Sequence, residues 1–346
     1  IERSKYITFG IPCYNAAAYM DKCITSILEG SGYAEDVEIV IVDDGSTKDE
    51  TPQKADEWAE RYPNIIRAVH QENGGHGKAV MAAVGAAQGA YFKNIDSDDW
   101  FDAEALQRLL TTLRRFHEMG DSVDLVITNY VYEHVEDGTQ NVVDYRHVLP
   151  VGRVFTWSDI GHFKKTQYLL MHALTYRTKT LRAANLQMPA HTFYVDNIYA
   201  YVPFPRCHNL YYLDVDLYRY FIGREDQSVN DAVLTSRVDH YWRVARVMWE
   251  AYHLYDDVQP RKLREYMMSY FTIIMAICSV FSKKSDRPDA EEQLKKLWDD
   301  LKAYDPKMYR RARHGVVGIA TNLPGLVGKD ITLWGYRVAQ KHVKFN

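Results

Sequence analysis

The sequence predicts an α/β fold with a largely parallel, doubly wound sheet. Short apolar runs alternate with helical patterns through the first 130 residues, and several of these runs end in turns rich in Asp, Gly and Ser. At 346 residues, with 47% hydrophobic and 25% charged residues, the chain is long enough for a sizeable core and two structural parts. In such sheets ligands bind beyond the carboxyl ends of the strands.

The elements follow in order from these patterns. Residues 6–12 read as a buried strand, 19–28 as an amphipathic helix, and 38–42 as an apolar strand ended by D-D-G-S-T. The helix predicted at 48–62 carries acids in its first turn, as the helix dipole favours. The remaining predicted elements are strands at 65–70, 90–96 and 124–130 and helices at 77–87 and 105–116.

Beyond about residue 230 the pattern becomes helical, so we expect an α/β domain over 1–230 and a helical region over 231–346. That region is expected to make membrane-surface or oligomer contacts. Its longest apolar run, Tyr266 to Phe281, is shorter than the roughly 20 residues that a membrane-spanning helix needs. This run predicts either a buried helix or a contact between subunits of a homo-oligomer.

Charge and cysteine usage narrow the setting. The net charge of -4 favours no nucleic-acid partner, and four cysteines without metal spacing fit a reduced, cytoplasmic protein with no signal peptide. From residue 306 onward the net charge is about +7, which leaves about -11 on the rest. This end predicts either a solvated helical face or peripheral contact with the inner face of the cell membrane. Its basic residues are Lys307, Arg310, Arg311, Arg313, Lys329, Arg337, Lys341 and Lys344.

Two acidic clusters follow predicted strands. Asp43 and Asp44 precede Gly45-Ser46, a pattern that also suits a plain turn and helix cap. Asp96, Asp98 and Asp99 follow the strand at 90–96, where mutual repulsion is costly unless a cation is present. Mg²⁺ or Mn²⁺ takes one or two protein oxygens and completes its shell with phosphate oxygens. Together the clusters predict a nucleotide-diphosphate ligand with a divalent metal.

Other phosphate and metal motifs are absent. N-G-G-H-G-K lacks the first glycine and the final Ser or Thr of a P-loop, because Glu72 and Ala79 occupy those positions. No G-x-G-x-x-G follows the first strand, and no H-E-x-x-H occurs among the 13 histidines. Dinucleotide binding and zinc hydrolysis are therefore disfavoured.

Four motifs in order resemble the GT-A glycosyltransferases of family 2, which are inverting, metal-dependent enzymes that use nucleotide-sugars. They are I-P-C-Y-N (11–15), V-D-D-G-S-T-K-D-E-T (42–51), E-N-G-G-H-G-K-A-V (72–80) and F-K-N-I-D-S-D-D-W (92–100). The resemblance covers roughly residues 5–230. It implies that the domain over 1–230 is the nucleotide-sugar-binding, catalytic domain and that acceptor contacts are a further possible role of the region over 231–346. H-T-F-Y-V-D-N-I-Y (191–199) is similar to the acidic motif that supplies the base, and Y-R-Y-F-I-G-R-E-D-Q-S-V (218–229) to the segment that closes over the diphosphate. Val80-Met81 stands where many members have Arg-Asn, and Val195 where Glu is frequent.

The resemblance implies a role for each matching residue. Asp98 is the main metal ligand, Asp96 contacts the metal or the ribose, and Asp196 deprotonates the acceptor hydroxyl. Pro12, Tyr14 and Asp44 are implied to contact the base. The full implied donor-binding set is Pro12, Tyr14, Asn15, Asp43, Asp44, Asn73, Lys78, Asp96, Ser97, Arg224, Gln227 and Ser228.

Some assignments keep an alternative at this stage. Arg224 suits a diphosphate, but it also suits a salt bridge to Glu225 or Asp226. Asp196 alternatively caps a helix that begins at Asn197, and His172 is interpreted as a histidine at the edge of the core, with an acceptor-facing position as the alternative.

The predicted function is transfer of a sugar, from a UDP-sugar by preference, to a glycan or lipid-linked acceptor in cell-surface polysaccharide synthesis. A sugar-phosphate nucleotidyltransferase would share the acidic clusters, but it should carry a Gly- and Arg-rich loop where this chain has P-C-Y-N-A-A-A-Y. A non-catalytic sugar-binding scaffold should show a broken D-x-D motif, whereas this chain keeps D-S-D.

Overall fold

A computed structural model describes residues 4–120, 122–164, 167–223 and 231–324, together with residues 329 and 332. The chain divides into two compact units. The first takes its residues from Ile1–Gly161 and Leu169–Gly223, and the second from His162–Tyr168 and Arg224–Asn346.

The first unit is built on one mixed sheet. Its described strands are β1 (Ile7–Cys13), β2 (Val37–Asp43), β3 (Ile66–His70), β4 (Tyr91–Asn94), β5 (Trp100–Phe101), β6 (Leu125–His134), β7 (Thr139–Val143), β8 (Val154–Phe155), β9 (Leu174–Arg177) and β10 (Leu210–Ile222). They lie in the order β3-β2-β1-β4-β9-β6-β10-β5, with β7 beside β6 and β8 beside β10. The α/β class predicted from the sequence is confirmed.

Parallel pairings join β3, β2, β1 and β4, and a long parallel pairing joins β6 to β10. The four-residue strand β9 runs antiparallel to both β4 and β6, and so joins the two parallel sets. β1 and β2 are buried along their whole length, which explains why their sequences are mostly apolar on both faces, with Thr8 and Glu38 as the buried polar exceptions before Asp43.

Helices cover the sheet and position its loops. Those described in the first unit are α1 (Met20–Ser31), α2 (Thr51–Arg61), α3 (His76–Ala86), α4 (Ala103–Glu118), α5 (Thr178–Ala183) and α6 (Asp196–Tyr199). α4 illustrates the sequence logic. Asp102 caps its N-terminus by accepting a hydrogen bond from the N–H of Ala105, and its leucines at helical spacing face the core.

The second unit is helical. Its described helices are α7 (Asp231–Ser236), α8 (Val238–Ala251), α9 (Leu254–Asp257), α10 (Arg261–Lys284), α11 (Ala290–Tyr304), α12 (Pro306–His314) and α13 (Val316–Thr321). Among the helices described, α10 alone is long and apolar enough to cross a membrane, but 67% of its most apolar stretch is buried inside the protein. This burial favours the predicted buried helix over a membrane span.

Candidate active site

Three parallel strands bring the predicted motifs to one edge of the sheet. In the β1–β2 register Cys13 lies opposite Asp43, and in the β1–β4 register Gly10 lies opposite Asn94. The backbone N–H of Asp44 donates to the carbonyl of Cys13 at 2.8 Å, which continues the pairing by one residue. The two acidic motifs therefore leave the sheet on either side of β1, as the parallel topology predicts.

The carboxylate of Asp44 holds the glycine-rich loop that precedes α3. It accepts hydrogen bonds from the side chain of Gln71 at 2.7 Å, from the backbone N–H groups of Gly74 at 2.9 Å and Gly75 at 2.8 Å, and from the side chain of Asn73 at 3.3 Å. The Asp44 carboxylate therefore holds the backbone of the glycine-rich loop in place. The predicted contacts of Asp44 and Asn73 with a nucleotide remain predictions.

Gly75 has two reasons to be glycine. Its φ of +88° lies in the region that L side chains rarely adopt, and a Cβ there would approach the backbone nitrogen of His191 to 2.8 Å. The N–H of His191 also donates to the carbonyl of Gly74 at 2.8 Å. The glycine-rich loop is thereby tied to the segment that leads to Asp196.

Asn15 and Asp43 hold the turn that follows β2. The Asn15 side-chain oxygen accepts from the N–H groups of Thr47 at 3.2 Å and Lys48 at 3.1 Å, and the Asn15 N–H donates to the Ser46 hydroxyl at 2.9 Å. One carboxylate oxygen of Asp43 accepts from the N–H of Ser46 at 3.0 Å. Both residues were predicted to bind the donor, and the structure shows them making loop contacts.

Four further predicted donor residues lie around this edge. Pro12 is buried in β1, and Ser97 is half-buried and hydrogen-bonded to the Cys13 thiol. Tyr14 is 51% exposed and Lys78 is exposed at the start of α3. Tyr14 and Lys78 are therefore the two of these residues whose side chains are open to a ligand.

The acidic loop after β4 is anchored by Tyr218 of β10. The Tyr218 hydroxyl donates to the Asp99 carboxylate at 2.5 Å and accepts from the backbone N–H of Asp96 at 3.1 Å. The other Asp99 oxygen accepts from the N–H of Phe221 at 2.9 Å. Burial and then the neighbouring carboxylates raise the pKa of Asp99 well above its usual value. Burial also raises the pKa of Asp96 to about 6. Asp98 is half-buried beside them.

A histidine completes a group with metal-ligand spacing. Asp96, Asp99 and His172 each offer one ligand atom, and these three atoms lie within 4.8 Å of one another. His172 is 8% exposed, its Nδ1 has no hydrogen-bond partner among the described residues, and burial lowers its pKa to about 3. A neutral, orphaned imidazole beside two carboxylates is a donor set that suits a divalent cation such as Mn²⁺.

This group differs from the predicted ligands Asp98 and Asp96, because Asp99 and His172 join it. His172 is buried, as expected of a histidine at the edge of the core. The sequence did not indicate that its ring nitrogen lies within 4.8 Å of carboxylate oxygens of Asp96 and Asp99. No motif spacing between residues 96 and 172 could have revealed this proximity.

Lys93 positions the segment that carries His172. Its amine is buried within the sheet and donates to the carbonyls of His172 at 2.8 Å and Leu174 at 3.2 Å. Burial lowers the pKa of Lys93 to about 7. The lysine therefore ties β4 to the start of β9 directly beneath the acidic loop.

Four tyrosines form a wall beside this group. Tyr130 and Tyr132 of β6 lie opposite Tyr218 and Tyr220 of β10 in the parallel register. The His172 ring centroid lies 4.6 Å from that of Tyr218, 4.8 Å from that of Tyr220 and 5.5 Å from that of Tyr130. Tyr132 and Tyr220 are half-buried, whereas Tyr130 and Tyr218 are buried. We call these four side chains the tyrosine wall.

Asp196 lies near the acidic loop although it is 100 residues away in sequence. α6 begins at Asp196 itself, with Val195 at the N-cap position. Hydrogen bonds from the backbone of Asp196 and Asn197 lower the pKa of the Asp196 carboxyl, so the roles of base and of helix cap both stay predictions. Burial raises the pKa of Asp196, and its charge in turn raises the pKa of Asp96. The predicted base and the predicted metal ligand thus share one electrostatic environment.

His76 is a residue for which the sequence motifs indicated no role. It begins α3, and its Nε2 lies 3.7 Å from a carboxylate oxygen of Asp96. Its charge lowers the pKa of both Asp96 and Asp196. The one feature of the sequence that could have indicated a role is the position of this histidine in E-N-G-G-H-G-K, at the predicted start of a helix that follows the glycine-rich loop. Arg224, Gln227 and Ser228 lie outside the described residues.

Fold and site together define an α/β protein whose binding edge, at the carboxyl ends of parallel strands, carries clustered carboxylates. The chain belongs to the family described as Glycosyl transferase family 2, whose sequence profile matches residues 8–183. The family and the GT-A fold class predicted from the motifs are thereby confirmed.

Known proteins of this family resemble the chain in different ways. A stretch of 128 residues is 35% identical to "Putative glycosyltransferase EpsH" of Bacillus subtilis, covering 37% of this chain and 34% of that protein. A stretch of 190 residues is 28% identical to "Chondroitin synthase" of Pasteurella multocida, covering 54% of this chain and 17% of that protein. The chain therefore spans about a third or less of the length of these relatives.

A solved structure shares the fold over nearly the whole chain. The crystal structure of S. aureus TarS 1-349 in complex with UDP-GlcNAc superposes with a TM-score of 0.64 and 18% sequence identity. The superposition covers 97% of this chain and 92% of that chain. At this identity the likeness establishes the fold alone.

Proposed function

We propose that the protein is an inverting, metal-dependent glycosyltransferase. It moves a sugar from a nucleotide-diphosphate sugar, by preference a UDP-sugar, to a hydroxyl of a glycan or lipid-linked acceptor. The observation that carries this proposal is the group formed by Asp96, Asp99 and His172, with Asp98 beside it and Asp196 within its electrostatic reach. Such an arrangement separates a cation-binding side from a proton-accepting side.

On the donor side, the nucleotide would lie along the edge formed by β1, β2 and β4. Tyr14 offers an exposed ring for stacking against a base, and Lys78 an exposed amine for a phosphate. Asp44 and Asn15 would act by holding the loops that surround the nucleotide, because their polar atoms are already engaged there. Both loops are thus ordered before a ligand arrives, which lowers the entropic cost of binding.

The divalent cation would be held by Asp98, Asp96, Asp99 and His172. A bound Mn²⁺ or Mg²⁺ neutralises the negative charge that develops on a departing nucleoside diphosphate. The chain's own contribution is to hold these side chains in place. Lys93 fixes the backbone of His172, and Tyr218 fixes the loop that carries Asp96 and Asp99.

On the acceptor side, Asp196 would remove the proton from the attacking hydroxyl. A general base acts best when its pKa approaches the working pH, and burial moves the pKa of Asp196 in that direction. His76 lies 3.7 Å from Asp96, and in its cationic form it would lower the pKa of Asp196 and so favour the ionised, proton-accepting form of that carboxyl. One base and one in-line displacement give inversion at the anomeric carbon.

The acceptor would be a sugar. Tyr132 and Tyr220 form the half-buried part of the tyrosine wall, and the charge of Asp196 reaches Tyr132. Aromatic rings with a hydroxyl at the rim stack on sugar rings and hydrogen-bond to their hydroxyls. The likeness to a chondroitin synthase supports a glycan acceptor and polysaccharide synthesis.

The cysteines support a cytoplasmic location for this activity, because all four are buried free thiols.

The test is a panel of nucleoside diphosphates and nucleotide-sugars with and without Mn²⁺. We expect UDP to raise the melting temperature only when Mn²⁺ is present, and one UDP-sugar to be hydrolysed slowly in the absence of acceptor. GDP and ADP serve as matched controls for the base. If no nucleotide stabilises the protein with any divalent cation, the proposal fails.

A further inference from the structure

The outward face of α12 is entirely basic. Its exposed residues after the first position recur at helical spacing, and its buried residues Met308 and Ala312 lie on the opposite face. The sequence from 306 to 324 contains no acidic residue. The exposed basic positions of α12 are Lys307, Arg310, Arg311 and His314.

The outward face of α13, which begins two residues after α12 ends, is entirely apolar. Val316 is 78% exposed and Ile319 is 48% exposed, and Ala320 lies beside them, while Gly318 faces inward. Because these side chains are exposed, packing within the protein does not require them to be apolar. Contiguous exposed apolar residues next to a charged face are typical of interaction sites.

Local contacts leave much of the positive charge available. Lys307 pairs with Asp256 at 2.8 Å, and the Arg311 guanidinium lies 6.0 Å from the Tyr255 ring centroid. Arg310 makes no ion pair with any residue that the structure describes. The basic face is therefore only partly neutralised.

We propose that α12 and α13 together dock on the surface of an anionic phospholipid bilayer. The basic face would lie against the headgroups, and Val316 and Ile319 would enter the boundary between headgroups and acyl chains. This narrows the predicted membrane contact of the basic C-terminus to two helices and adds an apolar component to it. Lys341 and Lys344, also predicted to take part, lie outside the described residues.

A bilayer suits this surface better than other partners do. A soluble polyanion would use the basic face but would gain nothing from exposed Val316 and Ile319. A second copy of the chain in a two-fold symmetric contact would bring one basic face against another, which costs electrostatic repulsion. An anionic bilayer offers both negative charge and an apolar layer, which are the two kinds of surface that the exposed residues of α12 and α13 would complement.

The experiment is co-sedimentation of the full chain with vesicles of phosphatidylcholine alone or mixed with phosphatidylglycerol. The paired variant Arg310→Gln/Arg311→Gln removes two charges from the face, and Lys295→Gln/Lys296→Gln removes two exposed charges from α11 as a matched control. A basic residue at an anionic surface changes partitioning by about fivefold, so we expect about a 25-fold loss for the arginine pair. The lysine control should change little.

A second variant, Val316→Ser/Ile319→Ser, tests the apolar part without changing charge. We expect this variant to bind vesicles more weakly than the wild type, and we expect the difference to remain when salt is raised, because salt does not screen an apolar contact. Its melting temperature should be unchanged, because both side chains are exposed. Equal binding to neutral vesicles, or equal losses from the arginine pair and the lysine control, would overturn the proposal. Binding to heparin as strong as to vesicles, with no effect of the serine pair, would also overturn it and would indicate a polyanion site. Neither assay contains a sugar donor, so both are independent of the proposed transferase activity.

Discussion

The hydroxyl of Tyr218 lies 2.5 Å from the buried carboxylate of Asp99 and 3.1 Å from the backbone nitrogen of Asp96. One side chain of β10 thereby fixes both ends of the acidic loop that follows β4. The loop's geometry depends on a residue 119 positions away from Asp99, and this dependence can be measured.

Replacing Tyr218 with Phe keeps the ring and removes both hydrogen bonds. A buried carboxylate that loses a donor costs about 1–3 kcal/mol, so we expect the free energy of unfolding in urea to fall by about that amount. Tyr33→Phe is the control, because Tyr33 is exposed, and its effect should stay within about 0.5 kcal/mol. Equal stability of the two variants would show that the Tyr218 contacts contribute nothing.

Replacing Asp98 with Asn tests its predicted role as a metal ligand. The change keeps the shape and removes the charge, so UDP should bind at least about tenfold more weakly when Mn²⁺ is present. Without Mn²⁺ the variant and the wild type should bind UDP equally. Isothermal titration in all four conditions decides, and identical affinities throughout would remove Asp98 from the metal site.

Replacing His172 with Phe separates a ligand from a packing residue. Phenylalanine fills the same space among Tyr130, Tyr218 and Tyr220, so the fold should be retained. If the imidazole binds the cation, Mn²⁺ affinity should fall by about 10–100-fold in a titration followed by electron paramagnetic resonance. Unchanged Mn²⁺ affinity in a well-folded variant would return His172 to a purely structural role.

Replacing Asp196 with Asn tests the general base. The variant should bind UDP with Mn²⁺ as the wild type does, while its transfer rate falls by about 10²–10⁴-fold. Structural damage is not expected, because Asn is nearly isosteric with Asp and also accepts hydrogen bonds from backbone N–H groups at a helix N-terminus. A well-folded variant with near-normal transfer would assign the base to another acid.

Replacing His70 with Gln should change stability in a pH-dependent way. The hydrogen bonds of His70 to Asp56 at 2.8 Å and to Asp43 at 3.1 Å raise its pKa above 6.5, in that order of importance. A raised folded-state pKa means that the stabilisation is complete below the unfolded pKa and is lost as the pH rises through the folded value. The wild type should therefore exceed His70→Gln in stability by more at pH 5.5 than at pH 9, as measured by urea unfolding.

The Asp56→Asn background is the control for this effect. It removes the stronger of the two partners, so the stability difference that the His70→Gln change produces should depend less on pH there. A difference that is the same at both pH values in the original background would contradict the assignment.

Much of the first unit could be predicted because its elements carry strong local signals. β1 and β2 are mostly apolar runs followed by turn residues, and the predicted ranges 6–12 and 38–42 match the observed Ile7–Cys13 and Val37–Asp43 closely. β10 was not predicted, although L-D-V-D-L (213–217) alternates regularly between apolar and acidic residues. The register shifts in its pairing with β6, between Tyr212 and Tyr218, have no marker in the sequence. The short β9 is apolar too briefly to be distinguished from a loop.

The candidate site was predictable to the extent that its residues follow strands. Asp96 and Asp98 could be singled out because they follow a strand whose carboxyl end lies beside that of its parallel neighbour, and their roles as metal ligands stay predictions. The proximity of His172 to this cluster and the contact of Lys93 with its carbonyl could not be predicted, because they depend on the antiparallel pairing of β9 with β4, for which the sequence has no marker. The functions of Asp44 and Asn15 in holding loops were hidden because a motif shows which residue recurs but not which neighbours it contacts.

The four hydrogen bonds to the Asp44 carboxylate affect how mutants of this site should be interpreted. A variant such as Asp44→Ala releases the amides of Gly74 and Gly75, so any loss of nucleotide affinity mixes a missing contact with a disordered loop. Hydrogen–deuterium exchange at these two glycine amides distinguishes the two causes, because only loop disorder speeds their exchange. Asp44 can therefore be assigned a direct nucleotide contact only from a variant in which the amide protons of Gly74 and Gly75 stay as protected as in the wild type.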